Sequence, residues 1–81
     1  MRADKWLYYA RIYKTRSKST KACLDGDIMI NKLKKNNSSF NVSINDVITL
    51  IKEDNVKTIR VLNLPNNRVS AKDTDRMYKI I

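Results

Sequence analysis

The apolar residues of this chain change period once, at its only glycine. Before Gly26 they recur every three or four residues; after it they alternate. That break constrains the fold more than any other feature. Helices grouped ahead of strands predict an α+β arrangement, not the alternating units of a doubly wound sheet. The 81 residues are read as one domain, 1–81, with a modest core and little apolar area left over for a deep substrate pocket.

In the first half, Asp4 is suited to cap a helix through its carboxylate. Trp6, Tyr9, Ala10 and Tyr13 follow at helical spacing and make one apolar stripe. Such a stripe reads as core, with base stacking as the alternative. Tyr8 lies off the stripe and is the aromatic residue best placed to stack on a base. Lys14-Thr15-Arg16 breaks the pattern, and Ser17 offers a hydroxyl cap for a second helix of about eight residues. Ser19, Ala22 and Cys23 fall on its inner face, Lys18 and Lys21 on its outer face. Asp25-Gly26-Asp27 ends it, with Gly26 supplying the left-handed residue.

In the second half, Ile28-Met29-Ile30 reads as a strand and Asn31-Lys32 as a tight turn into Leu33. Lys32, Lys34 and Lys35 place three cations on the returning arm. Asn36 to Asn41 is a polar loop. Val42 and Ile44 alternate, Asn45-Asp46 turns, and Val47 to Lys52 is a strand. Glu53-Asp54-Asn55 turns into a partner strand from Val56 to Leu64. Ser70 with Asp73 resembles a capping box, and Ala71, Thr74, Tyr78 and Ile81 share a face, so a short C-terminal helix is expected.

Charge narrows the function. Seventeen Lys and Arg face eight Asp and Glu, for a net charge of +9. The excess is concentrated: residues 1–35 hold ten cations against three anions. A polyanionic partner accounts for such an excess; a solvated basic surface is the plainer reading. With no histidine and one cysteine, neither a zinc site, an activated nucleophile nor a disulfide is expected. One glycine excludes a phosphate-binding loop or a dinucleotide fingerprint. No cofactor and no enzymatic activity are expected. The longest apolar run, Val47 to Ile51, is too short to span a bilayer, and no signal sequence is seen, so a cytoplasmic protein is expected.

What remains is an anion surface. The amides opening the second helix, near Ser17, can hold a phosphate oxygen. Arg16 adds a bidentate contact and Lys14 a point charge. Arg2, Lys5 and Arg11 extend the patch over the first helix, and Lys18 and Lys21 along the second.

These residues also carry a resemblance. Arg2-x-Asp4-Lys5-Trp6-Leu7 followed by Arg11-x-Tyr13-Lys14-Thr15-Arg16-Ser17 resembles the opening of an S4-type RNA-binding domain. It is most similar to the heat-shock protein 15 family of small bacterial ribosome-associated proteins. Gly26-Asp27-Ile28-Met29-Ile30-Asn31, Val42 to Leu50, and Asn67-Arg68-Val69-Ser70-Ala71 with Tyr78 resemble later segments of that family. The resemblance implies two helices packed on a small antiparallel sheet (the alpha-L motif), RNA bound at the helix–helix corner, and association with the large ribosomal subunit. By position it carries over Arg2, Lys5, Lys14, Thr15, Arg16 and Ser17 as RNA contacts. The family's Asn-Gly turn is Asn31-Lys32 here. A non-enzymatic RNA-binding protein, acting as a monomer on ribosomal or other structured RNA, is the leading expectation. Its rivals are a double-stranded DNA binder and a basic module that docks on an acidic protein or a membrane surface.

Overall fold

A computed structural model describes residues 1–35, 37 and 39–81. Helix α1 spans Ala3–Tyr9 and α2 spans Arg16–Leu24. Strands β1 (Ile28–Ile30), β2 (Leu33–Lys35), β3 (Val47–Lys52), β4 (Asn55–Val61) and β5 (Tyr78–Ile80) form one antiparallel sheet, in the order β2-β1-β3-β4-β5. A 3-10 helix, Ala71–Arg76, precedes β5. The expected α+β class, with two N-terminal helices on a small antiparallel sheet, is therefore observed.

Strand register explains the core. Ile30 pairs with Ile48 and Ile48 with Ile59, so three isoleucines form one row on one face. Ile28 and Leu50 form the next row. All five are buried together with Ala3, Trp6, Leu7, Ala10, Ala22 and Cys23 of the helical half. The other face carries Thr49, Thr58, Arg60 and Lys79. Trp6 is fully buried, and its Nε1–H donates to the Asn63 carbonyl at 2.8 Å. Its ring meets Tyr78 edge-on at 6.3 Å, so the largest side chain is buried with its polar atom satisfied.

Both helices end in the same motif. At the end of α2, Gly26 N–H donates to Cys23 O and Asp27 N–H to Ala22 O, with Gly26 at φ 77°. That is a Schellman motif with glycine in the left-handed position. At the end of α1, Arg11 N–H donates to Tyr8 O and Ile12 N–H to Leu7 O, with Arg11 at φ 63°. The hydrogen bonds are the same, but an arginine stands where glycine is favoured. Asn31, Lys32, Asn45 and Glu53 also take positive φ. The Asn31-Lys32 turn holds because the Asn31 side chain accepts from Val47 N–H at 2.9 Å and donates to Asp46 at 3.3 Å.

Several expectations are corrected. Helix α1 stops at Tyr9, so Tyr13 lies beyond it. Asp4 does not cap α1; it lies inside the first turn, buried, with Arg2 at the cap position. The hydroxyl capping α2 is that of Thr15, which accepts from Lys18 N–H at 3.1 Å; Ser17 is already helical. Val42 is buried while Ile44 is exposed, and neither belongs to a strand. Residues 40–42 instead run beside the N-terminus, Ala3 N–H donating to Phe40 O and Val42 N–H to Met1 O, both at 2.8 Å. Strand β4 ends at Val61, because Leu62 and Asn63 turn their amides toward Met77 O. The C-terminal helix is a 3-10 segment that stops before Tyr78, and Tyr78 pairs with Val61 as a fifth strand. Ser70 Oγ and Asp73 bond each other at 2.8 Å rather than closing a capping box through the backbone. The polar loop expected over Asn36 to Asn41 lies partly outside the described residues.

Left-handed backbone costs a Cβ-bearing residue about 1–2 kcal/mol. Arg11→Gly should therefore stabilise the fold by about 1 kcal/mol, part of the relief being offset by glycine's greater unfolded-state freedom. Chemical denaturation of both proteins checks this, and an unchanged or lower midpoint would contradict it.

Candidate nucleic-acid interface

The corner between the helices is organised by one carboxylate. Asp4 is 1% exposed. Arg2 donates to it through Nε and Nη2, each at 3.2 Å, Arg16 through Nη2 at 3.4 Å, and Thr20 through its hydroxyl at 2.9 Å. The Asp4 carbonyl accepts from the buried Ser19 hydroxyl at 2.6 Å. Burial alone pushes the Asp4 carboxyl up. The hydrogen bonds from Thr20 and Arg2, with the charges of Arg16 and Arg2, outweigh that and hold it below its ordinary 3.8. Both arginine side chains remain nearly half exposed, at 49% and 43%. The first turn of α2 opens beside them. Lys18 N–H is held by Thr15 Oγ1 and Ser19 N–H by Thr15 O. Among the described residues, the amides of Arg16 and Ser17 have no protein partner.

Of the nine residues singled out by sequence, the structure gathers some and separates others. Arg2 and Arg16 meet at Asp4. Lys14, Ser17 and Lys18 are exposed on the turn and the first turn of α2. Lys5 lies on α1 with its ammonium 5.4 Å from the Tyr9 ring centre. The Thr15 hydroxyl is occupied as the cap. Arg11 sits beyond the opposite end of α1 from Arg2, its Nη1 donating to Val69 O at 3.3 Å. Lys21 belongs to the last turn of α2 and pairs with Asp25 at 2.7 Å. Asp25 raises the Lys21 pKa, first through that hydrogen bond and then through its charge. Cys23 is buried; burial first, then the negative charge of Asp4, pushes its thiol up to about 12, so it is not a nucleophile.

Three cations were missed. Arg68 donates to Tyr8 O at 3.1 Å and to Tyr13 O at 3.3 Å, and its guanidinium lies 4.5 Å from the Tyr8 ring centre. It clasps the connection between the helices from the C-terminal segment, and it lies over the ring of Tyr8, the aromatic residue that the sequence leaves off the apolar stripe. No local pattern signals a partner 60 residues away. Lys52 lies 4.5 Å from the Tyr13 ring centre and Lys57 5.8 Å from that of Tyr78. Each of the four tyrosines of the chain thus holds a cation over its ring. The Tyr13 hydroxyl is buried without a partner among the described residues; burial, with the charge of Asp27, pushes its pKa up to about 12. Among the described residues no group of three metal-ligating side chains occurs, and no helix is long and apolar enough to cross a membrane.

The fold is shared with known proteins. The family model of the S4 domain matches residues 1–48, which takes in both helices, the turn between them and the first hairpin. The chain belongs to the S4 domain family, whose module binds RNA and is not catalytic. Across its full length it is also similar to heat-shock protein 15 of Vibrio cholerae, solved as a trimeric structure: 32% identity, a TM-score of 0.91, and coverage of 100% of this chain and 81% of that one. No curated protein sequence matches it.

Because the folded-state pKa of Asp4 is depressed, its carboxylate stabilises the fold fully above the ordinary value of 3.8. That stability is lost as pH falls through the lower folded value. Asp4→Asn should cost about 1–3 kcal/mol at neutral pH, from the lost charge-assisted hydrogen bonds. The gap between the two proteins should close as the solution is acidified below 3.8. Thermal melts across that range check both the size and the sign.

Proposed function

We propose that this chain binds structured RNA, most fittingly ribosomal RNA of the large subunit, at the surface where α2 opens beside α1, and that it does so in the cytoplasm without a chemical step. One observation carries the reading: two half-exposed arginines converge on a single buried carboxylate next to the open amides of the first turn of α2. The carboxylate fixes the guanidiniums, and their charges together exceed its own. Lys5, Lys14 and Lys18 enlarge the positive field, and Arg16 and Ser17 offer backbone donors. Thr15 contributes by holding the turn. Arg11 and Lys21 fall outside this surface, at the far ends of their helices.

Membership of the S4 domain family supports RNA as the polyanion, and the heat-shock protein 15 resemblance supports the ribosome as its source. The binding surface lies within one chain, so one copy suffices. The outward face of α2 beyond its first turn presents Lys21 and Leu24, with no Asn, Gln or Arg to read base edges in a DNA major groove. Recognition by shape and backbone is the mode this surface suits.

Arg16→Ala should weaken binding to folded ribosomal RNA fragments and make the dependence of log affinity on log salt shallower by about 1. Fluorescence anisotropy over a salt series measures both, with duplex DNA as competitor. Unaltered affinity and slope, or equal competition by DNA, would overturn this reading.

A further inference from the structure

A second basic site lies away from the Asp4 corner, at the other end of α1. A cleft of about 290 Å³ is lined by Arg11, Lys52 and Lys57, with Asn55, Leu50 and Tyr78. Three cations line it and no acid does. Lys52 is anchored twice, over the Tyr13 ring and by donation to Ile12 O at 3.4 Å. Lys57 is poised over Tyr78. An aromatic ring fixes a cation without neutralising it, so the charge stays available to an anion.

Arg11 supplies an independent observation. It occupies a left-handed helix-ending position that glycine would fill with less strain. Backbone strain held by a functional side chain is a recognised trade, and here the side chain lines the cleft. The cleft adjoins a second depression that shares Lys52 and Asn55 with it and reaches Tyr13 and, on the first turn of α2, Lys18. That depression contains Asp27 and Glu53 as well, which leaves the cleft as the more positive end of the track.

We propose that this cleft holds an unpaired, single-stranded stretch of the RNA whose folded part sits at the helix corner. Phosphate lies against Arg11, Lys52 and Lys57, and a ribose or base lies against Ile12 and Tyr78. The size fits one such unit, since ligand pockets begin near 300 Å³. A charged groove with aromatic walls is how unpaired strands are held without sequence preference. This proposal rests on the RNA reading of the corner, and its test separates the two.

The probes are a blunt RNA hairpin and the same hairpin with oligouridine tails at both ends. The tailed probe should bind wild type more tightly and with a steeper salt dependence. Lys57→Ala should lose most of the tail's contribution, its salt slope on the tailed probe falling by about 0.7, while the blunt hairpin binds as before. Lys57→Arg should restore it. Arg11→Gly, which should fold more stably than wild type, should show the same selective loss, so poor folding is not its cause. Arg16→Ala should weaken both probes. If the tail adds nothing, or the Lys57 and Arg11 variants affect both probes equally or neither, the cleft proposal is overturned. If wild type binds neither probe, the corner reading fails first.

Discussion

The architecture of the helical half depends on a carboxylate kept out of water. Asp4 is as buried as the core residues around it, and a lone ionised group in that position would be prohibitive. It is tolerated because the chain supplies donors from three directions: Arg2 from before α1, and Arg16 and Thr20 from the first turn and a half of α2. With Ser19 on the Asp4 carbonyl, this network fixes where α2 crosses α1. It sets the direction in which the amides of the α2 first turn open, and it holds two arginines at the rim. One network thus serves packing and presentation together.

The rest of the molecule braces that arrangement. The sheet gives the helices an apolar floor of Ile28, Ile48, Leu50 and Ile59. The C-terminal segment returns twice to α1. Asn63 accepts from the Trp6 indole, and Arg68 binds the carbonyls of Tyr8 and Tyr13. Those carbonyls lie at the end of α1 and in the connection that follows, where helical hydrogen bonding has run out. An arginine with several donors in a fixed fork suits this task, and a lysine does not. The last strand, β5, then closes the sheet edge beside β4. The helix corner is therefore held from the far end of the sequence as well as by its own residues.

How much of this was legible follows from the range of each interaction. Strands β1 and β3, the Asn31-Lys32 turn and the glycine after α2 rest on neighbouring residues, and the sequence displays them. The identical motif after α1 was invisible because Arg11 carries no local mark of positive φ. The Thr15 cap was displaced by two residues, since Thr15 and Ser17 are both competent hydroxyl caps and only the emerging helix chooses between them. Tyr78 fits a helical stripe on paper; pairing with Val61, seventeen residues earlier in the chain, makes it a strand residue. The cations of the helix corner were found because they cluster in sequence. Lys52, Lys57 and Arg68 were missed because only the folded sheet and the returning C-terminus bring them near the helices. Asp4 was read as a cap because an acid at a helix start has that surface role more often than a buried one.

The two ways of fixing a cation explain how so positive a surface is compatible with a defined structure. An ion pair orients a side chain but cancels charge; among the described residues Asp4 serves Arg2 and Arg16 in this way, and Asp25 serves Lys21. A tyrosine ring orients a cation and leaves its charge intact. Lys5, Lys52, Lys57 and Arg68 are each held that way, by Tyr9, Tyr13, Tyr78 and Tyr8. The rings of Tyr13 and Tyr78 also pack against the core, so there apolar burial rather than a counter-charge limits the motion of the cation. Less side-chain entropy then remains to be lost when an anion arrives. A surface built from carboxylate pairs alone would be equally ordered but close to neutral, and would attract a polyanion weakly. Rings in place of acids keep the net charge at +9 while restraining the side chains that carry it, which is what a preorganised site for phosphates requires.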